Sequence, residues 1–300
     1  MFSYLEPIRN GIIKLSMIRK VLRDKYGEFV VGQMLTSADE VIWDNYNADG
    51  PGEQGAVREH IRMIRDAYGC IVPETFLKVD WGMDFSSWLG PFNGRKDFMF
   101  VGAEPHISKN YQLVYDFGVR QNEFGSDVNA NALFYAMGRK DIWYYLVKNF
   151  VTNPEDDTAI VDFLTNVYIT DLCHIVPKGC GQVNQIETKL NIKAKEWREL
   201  RTRIAMRFLP EEIEAVNPRF IVLHGLASRS FVAKNLPVSW AKPIPIDDYS
   251  NRHVYHGMLN ERKVIAIPHL KGQILNELWR SKNERRRNSI RSIIQDLVQN

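Results

Sequence analysis

The sequence predicts an α/β fold: a three-layer α/β/α domain with a central four-stranded parallel sheet, preceded by a helical N-terminal extension. Three observations predict it. Four short apolar runs recur along the chain, helical periodicity lies between them, and residues 1–90 carry mainly helical spacing.

Over the first 27 residues Leu5, Ile8, Ile12, Leu15, Ile18 and Leu22 recur one helical turn apart, and Gly27 can end that helix. The stretch DNYNADGPGEQG, Asp44 to Gly55, is a loop of turn formers. Val57, Ile61, Ile64 and Tyr68 mark a second helix closed by Gly69. Residues 1–90 therefore read as the extension and 91–300 as the α/β/α domain. The apolar runs are DFMFVG (Asp97–Gly102), NVYITDL (Asn166–Leu172), RFIVLHG (Arg219–Gly225) and KVIAIPH (Lys263–His269). Each is apolar on both faces, as a parallel strand covered by helices must be. Trp197, Leu200, Ile204 and Phe208 set a helical period between the second and third runs. Alternating strands and helices argue a parallel sheet with right-handed crossovers. Spacers of roughly forty to sixty residues are long for simple crossovers and predict insertions. From Glu277 onward, ELWRSKNERRRNSIRSIIQDLVQN reads as a terminal helix with a basic shoulder.

Composition narrows the class. Three hundred residues, 45% of them hydrophobic, suit one large domain or two small ones. A net charge of +3 permits a polyanionic partner without requiring one. No apolar run is long enough to span a bilayer, and Glu6, Pro7, Arg9 and Asn10 interrupt anything like a signal peptide. Cys70, Cys173 and Cys180 make no disulfide framework. The expectation is a soluble, cytoplasmic protein with reduced thiols. Nothing calls for a membrane or an obligatory protein partner, and no repeat or low-complexity segment is present.

Each predicted strand ends in reactive side chains. The first gives Glu104 and His106, and the second gives Thr170, Asp171, Cys173 and His174. The third gives His224, and the fourth gives Pro268, His269 and Lys271. In a parallel sheet these ends share one edge, where sites form in open α/β folds. Taken singly, a His or Asp there is more often a cap or a satisfied core group, and for Glu104 the competing reading is a helix cap. Taken together, they point to a cleft of acids and histidines.

These segments resemble the motifs of the uracil-DNA glycosylase superfamily. VGAEPH is similar to the Gly-x-(Asp/Asn)-Pro motif after its first strand, and YITDL to its second strand, usually Ile-Thr-Asn. EEIEAVNPRFIVLHGLAS resembles its helix, Pro-x-x-Ile-Val strand and Leu-Gly turn; IAIPHLKGQ resembles its final His-Pro-Ser-like loop. The four occur in the family's order over roughly residues 95–280, leaving the first ninety residues outside the resemblance.

The resemblance implies a monofunctional DNA glycosylase that needs no cofactor or metal. Such enzymes extrude a base into a pocket and hydrolyse its bond to deoxyribose. Glu104 falls where the family has Asp or Asn, so it would stabilise the sugar cation or orient the attacking water. Glu is one methylene longer than the family residue. His269 would hydrogen-bond the base O2, where leaving-group charge gathers. Gly102, Ala103 and His106 would line the base pocket, and Tyr111, Tyr115, Phe117 and Phe124 are candidate stacking partners. Leu270 and Gln273 are candidate wedges, Gly272 gives their loop room to turn, and Lys271 suits a phosphate.

Asp171 is the departure that matters most. Uracil-specific relatives carry Asn there, donating to O4 and accepting from N3–H. An ionised carboxylate only accepts, so it suits the exocyclic amine of cytosine and conflicts with cytosine N3. A protonated Asp171 or a protonated N3 removes the conflict, and burial favours the neutral acid. His106 stands where the uracil enzymes carry a Tyr that blocks a 5-methyl group, and the smaller ring opens that position. Excision of ordinary cytosine would destroy the host genome. A 5-substituted cytosine, such as hydroxymethyl- or glucosyl-hydroxymethylcytosine in phage DNA, is therefore the expected substrate, in a role of antiviral defence. Two alternatives stand beside it: a uracil-DNA glycosylase of base-excision repair, and a catalytically dead nucleic-acid-binding protein on the same fold.

Arg280, Lys282, Arg285, Arg286, Arg287 and Arg291 form the basic shoulder, either a solvated helix face or a set of phosphate contacts. Cys173, His174 and Cys180, like His253 with His256, lack the spacing of a structural zinc site, and three cysteines do not match a four-cysteine iron–sulfur cluster. GCGQVNQ lacks the third glycine of a dinucleotide fingerprint, and GLASRS is no nucleophile elbow.

Overall fold

The computed structural model describes residues 17, 20, 21, 24, 25, 79, 81–83, 96–104, 146–180, 183–246, 252–268 and 284–300. The elements, in chain order, are β1 (Trp81–Met83), β2 (Phe98–Gly102), α1 (Asp157–Thr165), β3 (Val167–Asp171), β4 (Ile175–Pro177), α2 (Val183–Leu190), α3 (Ala194–Val216), β5 (Phe220–His224), α4 (Leu226–Asn235), β6 (Ser239–Trp240), β7 (Ile244–Pro245), β8 (His253–Leu259), β9 (Arg262–Ile267) and α5 (Glu284–Gln299).

The fold is a mixed α/β one. The four apolar runs form β2, β3, β5 and β9, adjacent in the order β3-β2-β5-β9 and joined by parallel pairing. Phe98, Phe100 and Gly102 face Val167, Ile169 and Asp171 across the β2–β3 pair. The sheet is larger than the four-stranded parallel one expected from the sequence. Among the described residues it has seven strands, because β8 returns antiparallel beside β9 and carries β6 and β7, also antiparallel. The β8–β9 turn explains the reversal. Asn260 sits there in the left-handed region at φ 55°, which asparagine tolerates better than most residues. A turn this short can join only antiparallel neighbours. A separate ribbon pairs β1 with β4, also antiparallel.

Side-chain alternation divides the core in two. Met99, Val101, Tyr168, Leu223 and Ala266 pack with Trp197, Ile204 and Phe208 of α3 and Phe231 of α4. Phe98, Phe100, Val167, Ile169, Val222 and Ile265 pack instead with Leu146, Phe150, Ile160 of α1 and Ile290 and Ile294 of α5. In the second cluster Phe98 stacks on Phe220 with ring centres 4.8 Å apart. α3 has the predicted register: Trp197, Leu200, Ile204 and Phe208 are all buried. The backbone N–H of Lys193 donates to Glu196 at its start (2.7 Å), and Asn217 at φ 49° ends it.

Two charged residues also lie on the buried stripe of α3, Arg201 and Glu212. Glu212 meets Lys25, from the N-terminal extension. Each is 1% exposed, and Lys25 Nζ donates to Glu212 Oε1 (2.9 Å) and to Thr170 Oγ1 (2.7 Å). Tyr168 Oη donates to the same carboxylate oxygen at 2.7 Å. Asp24 pairs with Arg207 of α3 at 3.1 Å, and Val21 is buried. Residues before position 90 are thus tied into the interior beneath the strand that ends in Asp171. The predicted helix over Val57–Tyr68 and the loop Asp44–Gly55 lie outside the described residues. The terminal helix appears as α5, with 277–283 likewise outside them. Among the described residues no helix is long and apolar enough to cross a membrane.

Candidate active site

Parallel pairing sets the carboxyl ends of β3, β2, β5 and β9 side by side. Ladder bonding continues past β2 and β3: Leu172 N donates to Gly102 O and Cys173 N to Ala103 O, both at 3.1 Å. Gly225 N donates to Ile267 O at 2.9 Å, holding the ends of β5 and β9 together. Glycine is required at 225, where φ is 91°.

Asp171 ends β3, is 8% exposed and lies opposite Gly102. A Cβ at Gly102 would stand 2.0 Å from Asp171 Oδ1 and 3.2 Å from its Cγ. Gly102 is therefore the seat of that carboxylate, and no larger residue fits while Asp171 keeps its place. Two residues on, Glu104 is half-buried. Its Oε1 accepts from Trp197 Nε1 at 3.0 Å and from Arg201 Nη1 in an ion pair. Its Oε2 accepts no hydrogen bond from the described residues. Asp171 shares the strand face of Val167 and Ile169, whereas Glu104 is drawn toward α3, which covers the other face. The two acids thus flank the end of the β2–β3 pair from different sides.

Cys173 feels both charges. Its thiol is pushed up to about 12, by burial first and by Glu104 and Asp171 with it, against a backbone hydrogen bond at Ile175 and the Arg201 charge, which oppose the rise. At pH 8 about one molecule in ten thousand would carry the thiolate. Iodoacetamide is therefore expected to leave Cys173 unlabelled in the folded chain and to label it once urea unfolds it, as peptide mass mapping would show. The unfolded thiol loses its proton first, so stability falls as pH rises from about 9 toward about 12.

Other strand-end residues serve the interior. Thr170 joins the Lys25–Glu212 cluster, and Ser228 Oγ donates to the carbonyl of buried His224 at 3.2 Å. His174, 1% exposed, sits edge-on to Phe208 at 5.7 Å. Arg291 of the basic shoulder donates from its guanidinium to the carbonyls of Val151 and Thr152, pinning α5 to the segment before α1. Among the described residues no group of His, Cys, Asp and Glu could hold a metal ion. Gly102, Ala103, Glu104 and Asp171 are thus brought to one sheet edge. His106, Tyr111, Phe124, His269, Leu270, Lys271 and Gln273 lie outside the described residues. Arg285, Arg286 and Arg287 fall in the first turn of α5, and their side chains are outside the description.

Sequence reasoning missed Arg201. A signal was present: in Trp197, Leu200, Arg201, Ile204, Phe208 a cation interrupts an apolar helical stripe. No protein-family model matches the chain, and no curated protein matches it in sequence.

Proposed function

We propose that the chain is a monofunctional DNA glycosylase of α/β/α architecture, akin to the uracil-DNA glycosylases, acting on a 5-substituted cytosine in phage DNA. The observation that supports this reading is the pair of acids at one parallel sheet edge. One is seated against a glycine, and the other has a carboxylate oxygen that accepts no hydrogen bond from the described residues. In this reading the flipped base offers its exocyclic amine to Asp171. The bond between C1′ and N1 breaks, and the base leaves with the electron pair and gains a proton. Water adds to C1′, with Glu104 Oε2 orienting it or countering the sugar's positive charge. His269 donates to O2 of the departing base. Lys271 and the basic shoulder of α5 hold phosphates, which would make binding salt-dependent.

A second reading has its own observation. The Glu104–Arg201 ion pair would also suit an inert nucleic-acid-binding protein, where the acid serves only the fold. An abasic-site cleavage assay separates the two. It offers matched duplexes with uracil, cytosine, 5-hydroxymethylcytosine or glucosylated 5-hydroxymethylcytosine. Cleavage confined to a modified cytosine is expected, with loss of about 100-fold or more in Glu104→Gln and His269→Ala variants that stay folded. Cleavage of uracil alone would return the protein to ordinary repair. No cleavage of any duplex, with binding retained, would favour the inert protein.

A further inference from the structure

Arg201 is expensive where it stands. It is 8% exposed on the apolar face of α3, and its buried Nε makes no hydrogen bond among the described residues. A buried N–H without a partner costs about 1–3 kcal/mol, and a buried ion pair is often no more stabilising than an apolar pair of similar volume. Stability alone therefore gives no reason for a cation in this stripe. Geometry does. Trp197, fully buried, is one helical turn before Arg201, so both reach the same point beyond β2. Both donate to Oε1 of Glu104, and neither to Oε2. Two rigid planar donors on one oxygen fix the orientation of the carboxylate and leave the other oxygen for a ligand.

We infer that Arg201 and Trp197 are positioning residues, which hold Glu104 by one oxygen so that only Oε2 is presented to the reacting nucleotide. The inference rests on the glycosylase reading of Glu104. It adds that the N-terminal part of α3, ahead of the EEIEAV segment that the family resemblance covers, is part of the site. The longer glutamate then has a physical accommodation: the extra methylene adds a rotatable bond, and the two donors remove that freedom.

The test uses the full chain and the duplex that the wild-type protein cleaves. Trp197→Phe removes one N–H and keeps a ring; Arg201→Met removes the charge; Arg201→Lys restores a cation without the planar fork. Expected are a kcat lower by about tenfold in Trp197→Phe and about a hundredfold in Arg201→Met, with KM within about twofold, and partial recovery in Arg201→Lys. The Glu104→Leu/Arg201→Met double variant is expected to match the wild-type urea midpoint while losing activity, so that the pair is needed for turnover and not for stability. The indole N–H resonance of Trp197 is expected to move in Glu104→Gln. Full kcat in folded Arg201→Met and Trp197→Phe would overturn the positioning role and leave the glycosylase reading standing. Absence of cleavage by the wild-type protein on every duplex would overturn the glycosylase reading, and the positioning role with it.

Discussion

Replacing Lys25 with methionine is expected to lower the unfolding free energy by about 3–5 kcal/mol, a large share of the roughly 5–15 kcal/mol typical of a folded domain. The substitution removes the cation from a carboxylate that is 1% exposed. Tyr168 and Thr170 still donate to Glu212, but hydroxyl dipoles replace only part of what an ammonium supplies. The loss should reverse in large part when the charge goes too. In Lys25→Met/Glu212→Gln the amide oxygen can still accept from Tyr168, and no net charge is left in the core. Urea denaturation of the three proteins checks this. A single variant as stable as the wild type, or a double variant no better than the single, would mean that the buried pair does not hold the N-terminal segment.

On the proposed glycosylase reading, Gly102→Ala is expected to abolish base excision while leaving a folded protein. Its methyl would stand 2.0 Å from Asp171 Oδ1, far inside van der Waals contact. The backbone of β2 is held by parallel neighbours on both sides, so the side chain of Asp171 must yield. The stability cost should be modest, about 1–3 kcal/mol, as for other overpacked sites. Activity should fall by about 100-fold or more, because Asp171, if it reads the base as proposed, no longer meets its partner once displaced by an ångström. Gly102→Ala/Asp171→Ala separates the effects. Removing the carboxylate relieves the clash, so the melting temperature should recover while excision stays absent. Wild-type excision in Gly102→Ala would show that the position of Asp171 is irrelevant to the chemistry.

The strands that carry the site were legible because burial on both faces leaves no polar alternation. Phe98–Gly102, Val167–Asp171, Phe220–His224 and Arg262–Ile267 each start within one residue of an apolar run. β8 was not legible. His253, Tyr255 and His256 are only half-buried, so its pattern resembles a loop with two histidines rather than a strand. β1, β4, β6 and β7 are two or three residues long, too short for any period to register. At the site, Gly102, Glu104 and Asp171 could be found because they interrupt or end apolar runs. The partners of Glu104 could not, since Trp197 and Arg201 lie more than ninety residues later and their approach depends on how α3 crosses the sheet. Local pattern marks a charge as out of place. It does not say which distant group the charge answers.

The Lys25–Glu212 pair also bears on how the chain is made. The two residues are 187 positions apart. At a synthesis rate of about 5–20 residues per second, the lysine leaves the ribosome roughly ten to forty seconds before its carboxylate exists. Over that interval Val21 and its neighbours have no α3 to cover them. The segment around Lys25 is therefore housed only after α3 has been made, and a chain that stalls before that point leaves Val21 and Lys25 without the interior that buries them.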